Sequence, residues 1–504
     1  MTRPTRRTVL AGSVATVALS ASGLAVAAPA AAAPAPVLKL DGDPIAHLLR
    51  RATFGATPAA LAEARKLGAA GWLDRQLAPG RIDDGRCDAV LARLPLAGAT
   101  PATVRAGKAK NDAFKQLGRA AIARAAWSER QLFEQAVAFW ANHLHITAPS
   151  SGVWDTRADY DRTVIRAHAL GRFADMLTAS ARHPAMLTYL DQRSSSKALP
   201  NENYARELME LHTVGLDGYA ERDVPVVARL LTGMTVGKSG GYVYDASLHA
   251  TGAVDVLGFR HANAAADGEA AACAFLEHLA RHERTAERIA RKLCVRFVAD
   301  EPPAALVKRL AKVYRESDTA IAPVLRALFL SPEFAASVGK KIRTPFEDTI
   351  AAVRVLGLGP DESGVKSLDA LYNHLVSAGH APFRWSAPNG YPDSAAAWAS
   401  PSAFLARCNL HLNLATGWYP RQLTRPADLL RSLVPVLPGS WGALVDAIAV
   451  RLLGVKLPLD HTAAVLSVAG KLPTSPLTGA DKELTGAAPY LIALVLDSPS
   501  FQLR

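Results

Sequence analysis

Along most of the chain apolar residues return every three or four positions, the period of a helix with one buried face. The clearest stripe is Leu132, Ala136, Phe139 and His143, at i, i+4, i+7 and i+11. It predicts a helix from 131 to about 146, opened by Ser128-Glu129-Arg130-Gln131 as a capping box. Similar spacing predicts helices over 161–181, 184–190, 201–214, 223–231, 269–282, 285–297, 302–317, 320–330, 345–356, 402–414, 426–433, 441–453 and 489–496. Nearer the start, Asp43-Pro44 opens one helix, and Thr57-Pro58 gives the N-cap and first-turn proline of another that Gly68 ends. Alternation is rare. Tyr242-Val243-Tyr244 and Val254-Asp255-Val256-Leu257 flank a polar turn and predict one small hairpin. Residues 95–110 and 387–393 read as loops. The expected fold is mainly α: a large multi-helix globular domain with a small β-hairpin insertion. Sub-domains 40–235 and 260–504, joined by the hairpin segment, are one division of it.

Composition agrees with a folded globule, since half of the 504 residues are apolar and a fifth are charged. The formal charge of +12 is spread along the chain, without a Lys/Arg block or a basic stretch interleaved with aromatics, so a nucleic-acid groove is not indicated. Thr5-Arg6-Arg7-Thr8-Val9-Leu10 is a twin-arginine pattern, followed by an apolar run to about residue 28 and an A-x-A site at Ala25-Val26-Ala27. Residues 1–33 are therefore read as a twin-arginine signal peptide, and 34–504 as a secreted, extracellular or cell-envelope protein. Later segments are too short or too polar to cross a membrane. Twin-arginine export carries folded proteins, which modestly raises the expectation of a bound metal or cofactor. The cysteines, Cys87, Cys273, Cys294 and Cys408, form no CxxC pair and are read as buried free thiols in preference to two bridges.

Several segments together resemble one family. They are 47–55 (HLLRRATFG), 139–143 (FWANH), 183–191 (HPAMLTYLD), 201–213 (NENYARELMELHT), 289–293 (IARKL) and 388–393 (PNGYPD). In this order, over nearly the whole mature chain, they resemble the domain of unknown function 1800 family. The resemblance implies a predominantly helical, exported protein, often encoded beside a relative of sulfatases and alkaline phosphatases, which is the implied partner. It carries no established activity. Family members often have His-Asp-x-Gly-x-Lys near the hairpin. Here the stretch is His249-Ala250-Thr251-Gly252-Ala253-Val254, so a function resting on that acid and base is in doubt.

Chemistry is read best from the helix that Asn201 caps. At about 100° per residue, Asn203, Arg206, Glu207 and Glu210 share one face and His212 points largely away. Two carboxylates one turn apart can hold a divalent metal, or divide into acid and base. The candidate catalytic set is Glu207, Glu210, Arg206 and Asn203, with Asn203 orienting and Arg206 holding an anionic group. His143, Glu207 and Glu210 form the speculative metal set; the cofactor is otherwise unknown. The competing reading is a solvated face of i, i+4 ion pairs and a satisfied core histidine. Arg51, Arg166, Trp140 and Asn389 are weaker candidates. Ser194-Ser195-Ser196-Lys197 and Lys238-Ser239-Gly240 lack the spacing of a penicillin-binding site, and 233–239 is one residue short of a phosphate loop. The expected function is therefore open between two main readings, with a structural surface protein as a third. One is an exported metal-dependent or carboxylate-using enzyme acting on an envelope or extracellular substrate. The other is a non-catalytic helical binding or scaffold protein working with the sulfatase-like partner.

Overall fold

Asp43 starts the first helix, Pro44–Ala52, by accepting from the N–H groups of Ile45 and Ala46 at 2.9 and 3.2 Å. Thr57 caps the next, Pro58–Gln76, which Gly68 bends at a positive φ of 70°. From here the computed structural model describes residues 43–504 apart from 108, 109, 363 and 480. Residues 1–33, read from the sequence as a twin-arginine signal peptide, lie outside the described residues.

The chain is mainly helical, as its apolar period predicts. No helix among the described residues is long and apolar enough to cross a membrane. Two hydrophobic cores hold the helices together. One draws on residues from Leu48 to Phe334, the other on Phe54, on Val90 to Trp127 and on Ile350 to Phe501. The change from one core to the other thus falls near residue 340, well past the hairpins. All four cysteines are unbridged; Cys87 and Cys294 are buried, Cys294 within the first core.

Three local expectations need correction. The two predicted strands do not pair with each other. Tyr242–Tyr244 pairs antiparallel with Met234–Val236, and Val254–Val256 with Phe259–His261. The second hairpin turns on Leu257 and Gly258, both at positive φ (51° and 78°), the backbone of a tight two-residue turn, so each strand finds its partner locally. The capping box at Ser128 does not form either. Ser128 Oγ accepts from Arg130 N and donates to Asp84. Gln131 turns inward, donates to the carbonyls of Ala125 and Ser128, and accepts from Phe54 N. Finally, the helices predicted over 161–181 and 201–214 are not regular. Asp161–Arg166 and Leu208–His212 are π-helical, the wider turn that often marks a working site.

Candidate functional site

The helix Gln131–His143 carries the buried stripe anticipated from its period, and Asn142 stands on its last turn beside that stripe. Asn142 Nδ2 donates to the carbonyl of Tyr391 at 2.8 Å, and its Oδ1 accepts from Tyr391 N at 2.7 Å. One side chain thereby pins the loop 387–393 as a neighbouring strand would. Gly390 makes this approach possible: its φ is 72°, and a Cβ there would lie 2.2 Å from the Asn142 carbonyl oxygen. Tyr391 Oη donates to Ala381 O at 2.8 Å, Asn389 Oδ1 accepts from Trp385 Nε1 at 2.9 Å, and the backbone of Asp393 takes Lys341 Nζ at 2.7 Å. Replacing Asn142 by alanine is expected to cost about 1 kcal/mol, since it strands two half-buried backbone groups. The check is amide hydrogen exchange, which should speed up in 385–393 and stay unchanged in 441–453. Equal exchange in the loop would contradict this account of its anchoring.

Beneath the loop lies a cleft of about 980 Å³, counting the part open to solvent. Residues of both cores line it. Its apolar wall includes Phe54, Phe139, Phe346, Phe383 and Tyr391. Its polar wall is a set of alternating charges. Arg166 grips Glu134 through two bonds of 2.7 and 2.9 Å, and Arg124 lies 3.9 Å from Asp161 Oδ2. Arg296 bonds Glu347 at 2.8 Å and stands 3.6 Å from Asp393. The π-helical turn explains why Asp161 and Arg166 stand on the same wall. Five α-helical steps would turn them about 140° apart, whereas an i→i+5 turn brings them nearly into line.

The charge states are set by burial against pairing. Burial alone would raise the Glu347 carboxyl, but Arg296 and Arg504 overcome this and hold it at about 2. Burial lowers Arg166, and Glu134 outweighs it, so that guanidinium sits above its ordinary value. Burial pushes the His145 and His380 imidazoles down to about 4 and about 3, so both are neutral at pH 7. Neutral rings of this kind donate and accept one hydrogen bond each; His145 Nε2 already meets Trp385 O at 2.8 Å. Asp161 Oδ1 is buried and has no hydrogen-bond partner.

The residues singled out from the helical period lie elsewhere. Asn203 is exposed, and Arg206 is bound through both Nη atoms to Glu221 at 2.6 and 2.7 Å. Arg206 therefore already holds its anion. Glu210 accepts from Tyr219 Oη at 3.0 Å, and Glu207 is half-buried with a partner of its own. None of the four lines the cleft. The metal set is not assembled. His143 is fully enclosed, with Lys292 Nζ at 2.9 Å from Nδ1 and the His212 carbonyl at 3.0 Å from Nε2, leaving no lone pair for an ion shared with the glutamates. Among the described residues no group of three His, Cys, Asp or Glu side chains stands close enough to hold a metal. His212 points away from Glu207 and Glu210 as its spacing predicts, and packs 6.5 Å from the His143 ring. Arg51 and Trp140 are structural: Arg51 donates to the carbonyls of Phe297, Val298 and Ser337, and Trp140 to that of Ala169. His249, in the departed family motif, is a buried core histidine with Nδ1 3.0 Å from Thr232 O and Nε2 3.0 Å from Asn263 Oδ1. Of the weaker candidates, Arg166 reaches the cleft, and Asn389 braces the loop above it.

A helical, largely two-core protein with one arginine–carboxylate cleft under a pinned loop is the class these observations define. Residues 47–503 match the family model described as Protein of unknown function (DUF1800), and the chain belongs to that family. No curated protein and no solved structure matches it.

Proposed function

We propose that this chain is an exported recognition protein, and that the cleft beneath the loop 385–393 takes a neutral, hydroxyl-rich ligand: a sugar unit of an envelope or extracellular polymer. Asp161 carries the reading. Its carboxylate is buried in the cleft wall, and its unpartnered Oδ1 needs a donor that a ligand hydroxyl would supply. The rest of the wall suits the same guest. Carboxylates and guanidiniums that already neutralise one another offer acceptors and donors without selecting a charged ligand. The aromatic rings opposite give the apolar faces of a sugar a surface to lie on. Export, supported by the twin-arginine pattern at Arg6-Arg7, belongs to the same proposal.

The test is titration calorimetry of the mature protein against soluble fragments of neutral envelope and extracellular glycans. A saturable heat is expected with one class, weakened at least about tenfold in Asp161→Asn, the equivalent of one charge-assisted hydrogen bond. Absence of binding across the panel at millimolar ligand, or an unchanged affinity in Asp161→Asn, would refute it. A second reading, hydrolysis of the bound polymer, is favoured by one observation: Glu134 and Asp161 share the wall around Arg166. Release of reducing ends that stops in Glu134→Gln while binding persists would make the protein an enzyme.

A further inference from the structure

A second groove, of about 1400 Å³ counting its open part, runs between the helix Pro44–Ala52 and the helix Trp441–Leu453. Its charge is one-sided. Arg50, Arg343, Arg451 and Lys456 line it, against the single carboxylate Asp446, which Lys456 already pairs at 2.9 Å. Arg50 and Arg343 are both buried and lie near enough to repel one another. Burial lowers Arg343 to about 10 despite the neighbouring Asp348 and Glu347, with Arg50 and Arg504 opposing those acids. Arg343 Nη1 is spent on backbone, at Leu503 O (2.8 Å) and at Phe501 O. Arg451 is different. It makes no ion pair among the described residues, and its Nη1 is buried without a hydrogen-bond partner. Burial alone lowers its pKa. A half-buried guanidinium with an unmet N–H, in a groove lined by more cations than carboxylates, is an arrangement that an oxyanion would relieve.

Most of the remainder of the groove is hydrocarbon. Leu61, Val355, Ala447, Val450 and Leu453 run along it, and Val450 is 48% exposed to water. A free inorganic anion would leave this surface wet. We propose that the groove binds a single-chain amphiphilic anion, with an oxyanion head on Arg451 and its neighbours and a hydrocarbon tail along Val450 and Leu61. This site is separate from the cleft and does not depend on the reading given to it.

The experiment is titration calorimetry of the mature protein below the micelle concentration of each probe. Dodecyl phosphate and dodecanoate are the two anionic arms, and whichever binds tighter identifies the head. Inorganic phosphate and dodecyl maltoside are the controls for head and tail alone. One-to-one binding of an anionic arm is expected, at least about tenfold tighter than either control, and weakened about tenfold or more in Arg451→Gln. Val450→Glu, at an exposed position, should weaken it without disturbing the fold. Asp161→Asn should leave it unchanged. Lack of saturable binding by both anions overturns the proposal. So does equal binding of dodecyl maltoside or inorganic phosphate, or indifference to both groove variants. Concentration-dependent dimerisation abolished by Val450→Glu would assign the groove to a second copy of the chain and overturn it equally.

Discussion

Replacing Glu347 by alanine is expected to remove about 3–5 kcal/mol of folding stability, a large part of the total for a chain of this kind. Glu347 is buried where three distant parts of the chain meet. Its Oε1 takes Arg296 at 2.8 Å and also Arg504, while Oε2 accepts from Thr344 N at 3.0 Å to close a capping box on the helix Pro345–Val355. Without it buried Arg504 loses its counter-ion, buried Arg296 keeps only the more distant Asp393, and the helix loses a cap worth about 1 kcal/mol. Glu347→Gln keeps the shape and much of the cap, so the difference between wild type and Glu347→Gln isolates the charge, and that between the two variants the shape and cap. The effect has a pH signature. The folded carboxylate is held at about 2 against an ordinary 4.5, so the native state binds fewer protons than the unfolded one between those values. Its contribution is complete above about 4.5 and is lost as pH falls through about 2. Urea unfolding at pH 7 should therefore show the full gap between wild type and Glu347→Ala, and the gap should narrow below pH 4. A variant within 1 kcal/mol of wild type at pH 7 would mean that the two arginines find other partners.

How much of this was legible in the sequence depended on how local the cause was. The stripe Leu132, Ala136, Phe139 and His143 needs only a 3.6-residue period, and all four are buried. Caps at Asp43 and Thr57 are equally local and form as read. The glutamate pair failed as a site because a helical period says which residues share a face, and not whether that face meets a cleft or the neighbouring Glu221 and Tyr219. His143 was found as buried, but its partner Lys292 lies 149 residues away, beyond any spacing argument. Asp161 and Glu134 carried no motif signal at all; Asp161 shares a wall with Arg166 through a π-helical turn that composition does not announce, and Glu134 reaches Arg166 from another helix. One signal was available. Asn142 in FWANH and Gly390 in PNGYPD are a side chain with both a donor and an acceptor and a residue without a Cβ, the pairing that a loop docked on a helix end requires.

Between pH 7 and 9 two buried bases should pull stability in opposite directions, and one substitution should expose it. His411 is fully enclosed between Asp348 Oδ2 at 3.0 Å and Asp497 Oδ1 at 2.7 Å. Burial would lower it, yet the two carboxylates raise it to about 9 from 6.5. The native state then holds a proton that the unfolded chain releases, so this contribution is complete below about 6.5 and is lost as pH rises through about 9. Lys292 is the reverse. Burial, with Arg288 adding to it, lowers its ammonium to about 7 from 10.5. There the unfolded chain holds the extra proton, so the Lys292 contribution grows with pH from about 7 upward. Each slope reaches about 1.4 kcal/mol per pH unit where one state is charged and the other is not. Lys292→Met keeps the length of the side chain, and the bond it takes from His143 Nδ1 is a cost that does not change with pH. In wild type the two trends offset one another between pH 7 and 9. In Lys292→Met the His411 trend stands alone, and unfolding free energy should fall by up to about 1.4 kcal/mol per unit. Denaturant midpoints measured at half-unit steps would read the difference directly. A constant gap between the two proteins from pH 7 to 9 would show that Lys292 keeps its proton in the fold, and would place a counter-charge beside it.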